Sequence, residues 1–450
     1  MEKCSFSKKN AGKGVVLFVS LIVVYSCALY LSSIIPSKRI QENIKTSAQI
    51  MEDGFIREPI YFDRAIYGHQ LGATRLDDGT DALMMNNIYN IDNEHPLKSA
   101  LTNKLTGKVV GEGAIPDLCA TVRGEATASG IYSQYWHGYI AVWRPLLVFF
   151  DYLDLRKINV FIFNLLVFLL VILTARKFGG FAASALALSL MYINWFCIPL
   201  VFQYIICFYI AFICALLILI RNFSKESSYM KILFIAGSLT SFIDFLTAPM
   251  VTLGIPLIFI VMKHTKFINT QSFKQILFFL SKLVLCWGLG YALTWGMKPI
   301  VAAAFGINIF QTFAGALLNR IGGAEDFGLF SHIYGNNIGF TGMRFISLAH
   351  NVYRLVIELY LGPTLCIVVA LLTGWFIFRK KSKLSPVFYA YLLIAMLPYL
   401  WYLMATNHSA VHSTFTYRAQ MISVFALLLA YGESIDWVAI KKKIVPLSPL

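Results

Sequence analysis

Residues 76–86, LDDGTDALMMN, set three carboxylates, Asp77, Asp78 and Asp81, around Gly79 just ahead of an apolar run. A fixed carboxylate can take the proton of an attacking hydroxyl as general base. Asp81 is the first choice for that base, because the run from Ala82 to Ile88 is spaced as a helix and Thr80 or Asp81 falls at its N-cap. Asp77 and Asp78, in the turn before Gly79, are its rivals and suit acceptor contacts. The plain alternative is a capped surface helix with solvated acids.

A second cluster, residues 406–418 (TNHSAVHSTFTYR), holds His408, His412 and Arg418, with Asn407 and Tyr417 beside them. On a helix His408 and His412 share a face. Arginine offers carboxylate or phosphate a planar two-pronged donor, and histidine adds charge near neutrality, so the chemistry expected is anion binding. Zinc is the lesser reading, since His-x3-His here lacks the HExxH glutamate and a third ligand. A third cluster, residues 132–144 (YSQYWHGYIAVWR), gathers Trp136 and His137 among tyrosines; it reads as a membrane-interface belt or as a wall for a sugar or lipid. Asp244, at or near the end of an apolar run, is the fourth candidate. An acid at that depth usually faces a bundle interior or a cavity, and Ser241 and Thr247 are its nearest polar neighbours in sequence.

These groups need a frame, and composition says which. The chain has 450 residues, 58% hydrophobic and only 14% charged, with a mean hydropathy of +0.67. Soluble domains carry about 25% charged residues, so the expectation is an all-α polytopic membrane protein. Apolar runs near 14–35, 158–175, 179–198, 200–220, 231–247, 249–262, 275–297, 352–378, 386–404 and 418–432 give about ten spans, with 231–262 either two short spans or re-entrant. The net charge of +15 would suit nucleic acid if it were gathered on a soluble domain, and it is not. Short tracts beside alternate spans hold 19 of the 38 Lys and Arg with only four acids, which accounts for the whole net charge. By the positive-inside rule that face is cytoplasmic, with both termini on it.

The organisation expected is an N-terminus and first span (1–35), a long outer loop (36–157), a bundle (158–432) with smaller outer loops at 298–351 and 405–418, and a tail (433–450). Interfacial helices are expected in the long loop. The loop at 298–351 carries Glu325, Asp326, His332 and a glycine-rich stretch. The eight cysteines are scattered and make no disulfide framework. The absence of P-loop, GxGxxG, GxSxG and HExxH patterns removes support for ATP-driven transport and cytoplasmic nucleotide-sugar chemistry.

In plan, over most of the chain, the sequence resembles the GT-C class of integral-membrane glycosyltransferases, on LDDGTDALM in a long first outer loop and NHSAVHSTFTYR before the last span. In size and span count it is similar to bacterial enzymes that add side-chain sugars to O-antigen and other envelope polysaccharides. The resemblance implies a sugar donor on polyprenyl phosphate and a polysaccharide or glycolipid acceptor. The site would face outward from the bacterial cytoplasmic membrane. Asp81, Asp78 or Asp77 would be the base of an inverting transfer, and Arg418 with His408 and His412 would hold the lipid phosphate. A divalent metal is allowed but not required. A transporter or flippase of a lipid-linked saccharide is the alternative, and an assembly or sensor protein the third.

Overall fold

The structure, a computed structural model, describes residues 8–54, 71–106, 113–127, 130–321 and 340–444. Glu325, Asp326, His332 and most of the glycine-rich stretch lie outside the described residues. Nearly all the regular structure is helical; the one sheet among the described residues is a two-residue antiparallel pair, β1 (Lys104–Leu105) with β2 (Gly130–Ile131).

The first span is α1 (Lys8–Ser33). The segment after it folds into short helices: α2 (Ser37–Glu52), α3 (Asp78–Tyr89), α4 (Pro96–Thr102), α5 (Ala114–Arg123) and α6 (Ile140–Leu146). The bundle follows with α7 (Tyr152–Phe178), α8 (Gly180–Tyr192), α9 (Phe202–Ile220), α10 (Glu226–Ile243), α11 (Val251–Lys263) and α12 (Phe273–Ala304). It continues through α13 (Phe310–Ile321), α14 (Phe340–Val352), α15 (Leu361–Phe378), α16 (Pro386–Ala395), α17 (Leu397–Met404), α18 (Thr406–Val411) and α19 (Met421–Ser434).

Six segments among the described residues are long and apolar enough to cross a membrane: Gly12–Ser33, Tyr152–Phe178, Phe202–Ile220, Phe273–Ala304, Leu361–Phe378 and Pro386–Met404. The other four expected spans correspond to α8, α10, α11 and α19, of 13, 18, 13 and 14 residues. A 13-residue helix is about 20 Å long, short of a hydrocarbon core of about 30 Å. The break within 231–262 comes at Asp244, because α10 ends at Ile243 and extended backbone follows. The expected span 352–378 is shortened at its start: a π-turn at Tyr353–Ile357 follows α14, and α15 begins only at Leu361.

Helices α10 and α12 pack backbone to backbone. A Cβ built on Gly237 would stand 2.1 Å from the Trp287 carbonyl oxygen, and one on Gly290 2.1 Å from that of Phe234. Glu226 and Lys282 close the same pair with a salt bridge at the other end. Because backbone atoms cannot step aside, Gly237→Ala is expected to destabilise the protein by about 1–3 kcal/mol, the cost of overpacking. Gly288→Ala, which points into open space, is the matched control. Thermal unfolding of the two in detergent checks this; equal melting temperatures would remove the close approach.

The loop is fastened to the bundle by buried polar groups. Arg144, fully buried, donates to the carbonyls of Ser32, Ile88 and Ile35 and to the Ser37 hydroxyl at 2.8–3.0 Å. It thereby gathers carbonyls at the end of α1, just beyond it and near the end of α3 onto one guanidinium. The Trp136 indole donates to the Thr294 carbonyl (2.6 Å), and that of Trp295 to the Gln134 carbonyl (3.0 Å), pinning residues 134–136 on α12.

Candidate functional site

The N-cap of α3 is Asp77, a correction to the expected Thr80 or Asp81. The Asp77 carboxylate reaches forward to accept from Thr80 N (3.1 Å) and the Thr80 hydroxyl (2.7 Å), which pulls the helix start back to Asp78.

Asp81 lies in the first turn of α3 and points inward. It is fully buried, and both its oxygens are occupied. Oδ2 accepts from the Tyr152 hydroxyl (2.5 Å) and Phe202 N (2.9 Å), and Oδ1 from Gln203 N (3.2 Å). Phe202 and Gln203 are the first two residues of α9, whose opening N–H groups have no partner within the helix. Asp81 thus caps a neighbouring helix from outside it. Burial pushes its carboxyl up to about 8, against the pull of these three donors; the nearby Asp78 pushes the same way as burial. Asp78 is itself buried.

Arg418 also comes to the first turns of α9. Its guanidinium carbon is 4.3 Å from the centre of the Tyr204 ring and 5.0 Å from that of Tyr417. Nη1 donates to the Thr414 carbonyl (2.9 Å) and Nη2 to the Ala73 carbonyl (3.2 Å), while Nε has no hydrogen-bond partner. The side chain is fully buried, and no described carboxylate is within ion-pair distance of it. A lipid-headgroup anchor would be exposed at the membrane surface, and Arg418 is not.

The backbone just ahead of Asp77 is strapped over this arginine. The Ala73 carbonyl also accepts from the Tyr417 hydroxyl (2.7 Å), and the Arg75 carbonyl from the Tyr204 hydroxyl (3.0 Å). The Glu358 carboxylate takes Gly72 N (3.0 Å) and Ala73 N (2.8 Å) and is paired with Arg354 one turn earlier. Tyr204 is the link between the acids and the arginine. It lies under Arg418 and within electrostatic reach of Asp77.

The two histidines keep the expected common face, with ring centres 4.7 Å apart. His408 is spoken for at both nitrogens: Nε2 meets the Leu246 carbonyl (2.8 Å), so it carries the proton, and Nδ1 accepts from Arg320 Nη1 (3.2 Å). That leaves His408 no ring nitrogen for a phosphate or a zinc ion. Burial first, and then the neighbouring cations, hold both imidazoles neutral, with His412 lowered to about 4. Asn407 is buried beside them.

Trp136 and His137 are buried too, neither a headgroup belt nor a wall open to substrate. His137, at φ +56°, donates through Nε2 to the Tyr132 carbonyl (2.5 Å), and its Nδ1 faces the Tyr139 hydroxyl (3.2 Å). Asp244 accepts from Thr247 N (2.9 Å) as its neighbours in sequence suggest; Ser241 Oγ makes no hydrogen bond.

Sequence reasoning passed over Tyr152, Tyr204 and Glu358, and marked Arg320 only as a polar residue of the 298–351 loop. The first three each bond a segment more than 70 residues away. Arg320 joins two of the expected clusters, with Nε on the Tyr135 hydroxyl (3.0 Å) and Nη1 on His408. The chain matches no protein family model, no curated protein and no solved structure.

Proposed function

We propose that this is a membrane glycosyltransferase of the GT-C type, moving a sugar from a polyprenyl-phosphate donor to an envelope polysaccharide or glycolipid on the outer face of the cytoplasmic membrane. The bundle in this reading has ten spans with both termini cytoplasmic. The observation that carries it is Arg418, a buried cation whose Nε–H has no partner and which meets no carboxylate among the described residues, at the same helix end as the acidic loop. A buried charge without a partner costs several kcal/mol, and an anionic ligand supplies the partner. A phosphate oxygen fits a guanidinium edge better than a carbonyl does, because the hydrogen bonds become charge-assisted.

Asp77 is the base in this reading. It is half-buried rather than sealed, is held in place by Thr80, and acts on the Tyr204 phenol over which Arg418 lies. Asp77 takes the acceptor proton while Arg418 stabilises the leaving phosphate. Attack from the side opposite that phosphate inverts the anomeric carbon. Asp81 holds α9 and α3 together, and Asp78 stands behind them.

The test is to reconstitute the full chain in liposomes with a radiolabelled polyprenyl-phosphate hexose and an envelope glycolipid fraction. Label appearing in the glycolipid, with polyprenyl phosphate released, is the expected result. Label that changes leaflet while still attached to its lipid would make the protein a flippase instead.

A further inference from the structure

Away from Arg418 and the acidic loop, a cavity of about 350 Å³ lies between α9 and α10 and reaches α6. Trp143 of α6 forms one end, Ile206, Ile210 and Ile213 the α9 wall, and Ile235 and Leu239 the α10 wall. No charged residue among the described ones lines it. Besides Trp143 its polar residues are Tyr209, whose hydroxyl donates to Asn159 Oδ1 (3.1 Å), and Cys214, whose thiol is a weak donor. Apolar cavities stay dry and take up hydrocarbon instead. The ligand that fits is a hydrocarbon chain.

Its length and route follow from the walls. From Ile206 to Leu217 the α9 wall runs about 16 Å, at about 1.5 Å per residue. That is about half of a hydrocarbon core about 30 Å thick, the depth of one leaflet. The cavity is open along one side, where Ile213 is 48% exposed and Leu217 44%, and the exposed Ile220 continues the same apolar stripe of α9. Because α9 is long and apolar enough to cross a membrane, that opening is continuous with the surface a bilayer covers.

The position of the cavity selects among lipids. Tyr204, which lies under Arg418, and Ile206 are two residues apart, about 200° around the helix. A lipid whose phosphate sat on Arg418 would therefore have α9 between its head and the cavity.

We propose that the cavity binds one acyl chain of a membrane phospholipid, which enters sideways between α9 and α10 with its ester end toward Trp143. The chain backs the first turn of α9: Trp143 stacks on Phe202 (ring centres 4.2 Å apart at 15°), and the Phe202 N–H is one that Asp81 accepts. The site does not rest on the transferase reading.

The test reads Trp143 fluorescence, as the difference between the full chain and Trp143→Phe, in phosphatidylglycerol vesicles. The acyl chains are either plain or carry bromine, a contact quencher, near the ester. Trp143→Phe keeps a ring against Phe202 and breaks no hydrogen bond, since the indole N–H has no acceptor. Although Trp143 is only 4% exposed, bromine is expected to remove most of its emission. Ile235→Phe and Leu239→Phe, which fill the cavity from α10, are each expected to restore it. Equal emission in the two kinds of vesicle, or quenching as strong in both filled variants as in the parent, overturns the site. Polyprenyl phosphate that restored the emission would give the cavity to a prenyl chain and overturn the phospholipid assignment. Quenching as expected in a protein that transfers no sugar would leave this site standing and the transferase fallen.

Discussion

Asp77→Asn is expected to slow sugar transfer by about two orders of magnitude or more, the scale of general-base catalysis, while the protein accumulates normally. The substitution isolates charge from structure, because asparagine caps a helix as well as aspartate does. Its side-chain oxygen can still accept from Thr80, so α3 starts where it did. Asp81→Asn should behave in the opposite way. One amide oxygen would replace two carboxylate oxygens that serve three donors, and an amide N–H₂ would face a backbone N–H or a phenol. Leaving one buried donor unsatisfied costs about 1–3 kcal/mol. That loss shows as a lower melting temperature and less monodisperse protein on detergent gel filtration. Activity per folded molecule should fall far less than in Asp77→Asn. Should Asp81→Asn fold normally and lose transfer while Asp77→Asn stays active, the two roles are exchanged.

The second large effect concerns Arg418 and carries an unusual sign. A buried arginine that served only the fold would lower stability when removed. Here, among the described residues, the guanidinium has no counter-charge and one empty donor, so its burial is a standing cost. Arg418→Gln, which keeps an amide for one of the two carbonyls, is expected to raise the melting temperature in the absence of donor. The same variant should use the donor about 10–100-fold less well, as expected when a charged hydrogen bond of about 1.5–3 kcal/mol is lost. Arg418→Lys should lose most of that activity too, because an ammonium lacks the two-pronged edge. Thermal unfolding and initial rates on one preparation separate the possibilities. A lower melting temperature with normal transfer would make Arg418 a structural residue.

Much of the helical frame was legible because apolar runs of about 20 residues have few other uses. The candidate acids and Arg418 were legible as well, since charged residues beside such runs stand out. Their division of labour was not. Asp81 looked best for catalysis because it opens a helical pattern, yet the helix it caps begins at Phe202, 121 residues later. Local spacing carries no trace of such a partner. The same holds for Glu358, whose carboxylate grips backbone N–H groups 285 and 286 residues away; in sequence it reads as an ordinary (i, i+4) pair with Arg354. His408 and His412 illustrate the converse limit. Their shared face was foreseeable from spacing, but whether a ring nitrogen is free depends on the Leu246 carbonyl and Arg320, neither of which is near in sequence.

The Arg144 tie also sets an order of events in time. Ser32 leaves the ribosome 112 residues ahead of the guanidinium that will satisfy its carbonyl. At about 5–20 residues per second that is an interval of roughly 6–22 s. Through that interval the end of the first helix is held to the loop by Asn93, on the Ser33 and Ile35 carbonyls, and not by Arg144. The Gly72 and Ala73 amides wait longer, for Glu358, and the Ala73 carbonyl waits for Arg418. The acidic loop is thus among the earlier segments made and among the last fixed. A chain stopped before Arg418 would carry every candidate acid and no assembled site.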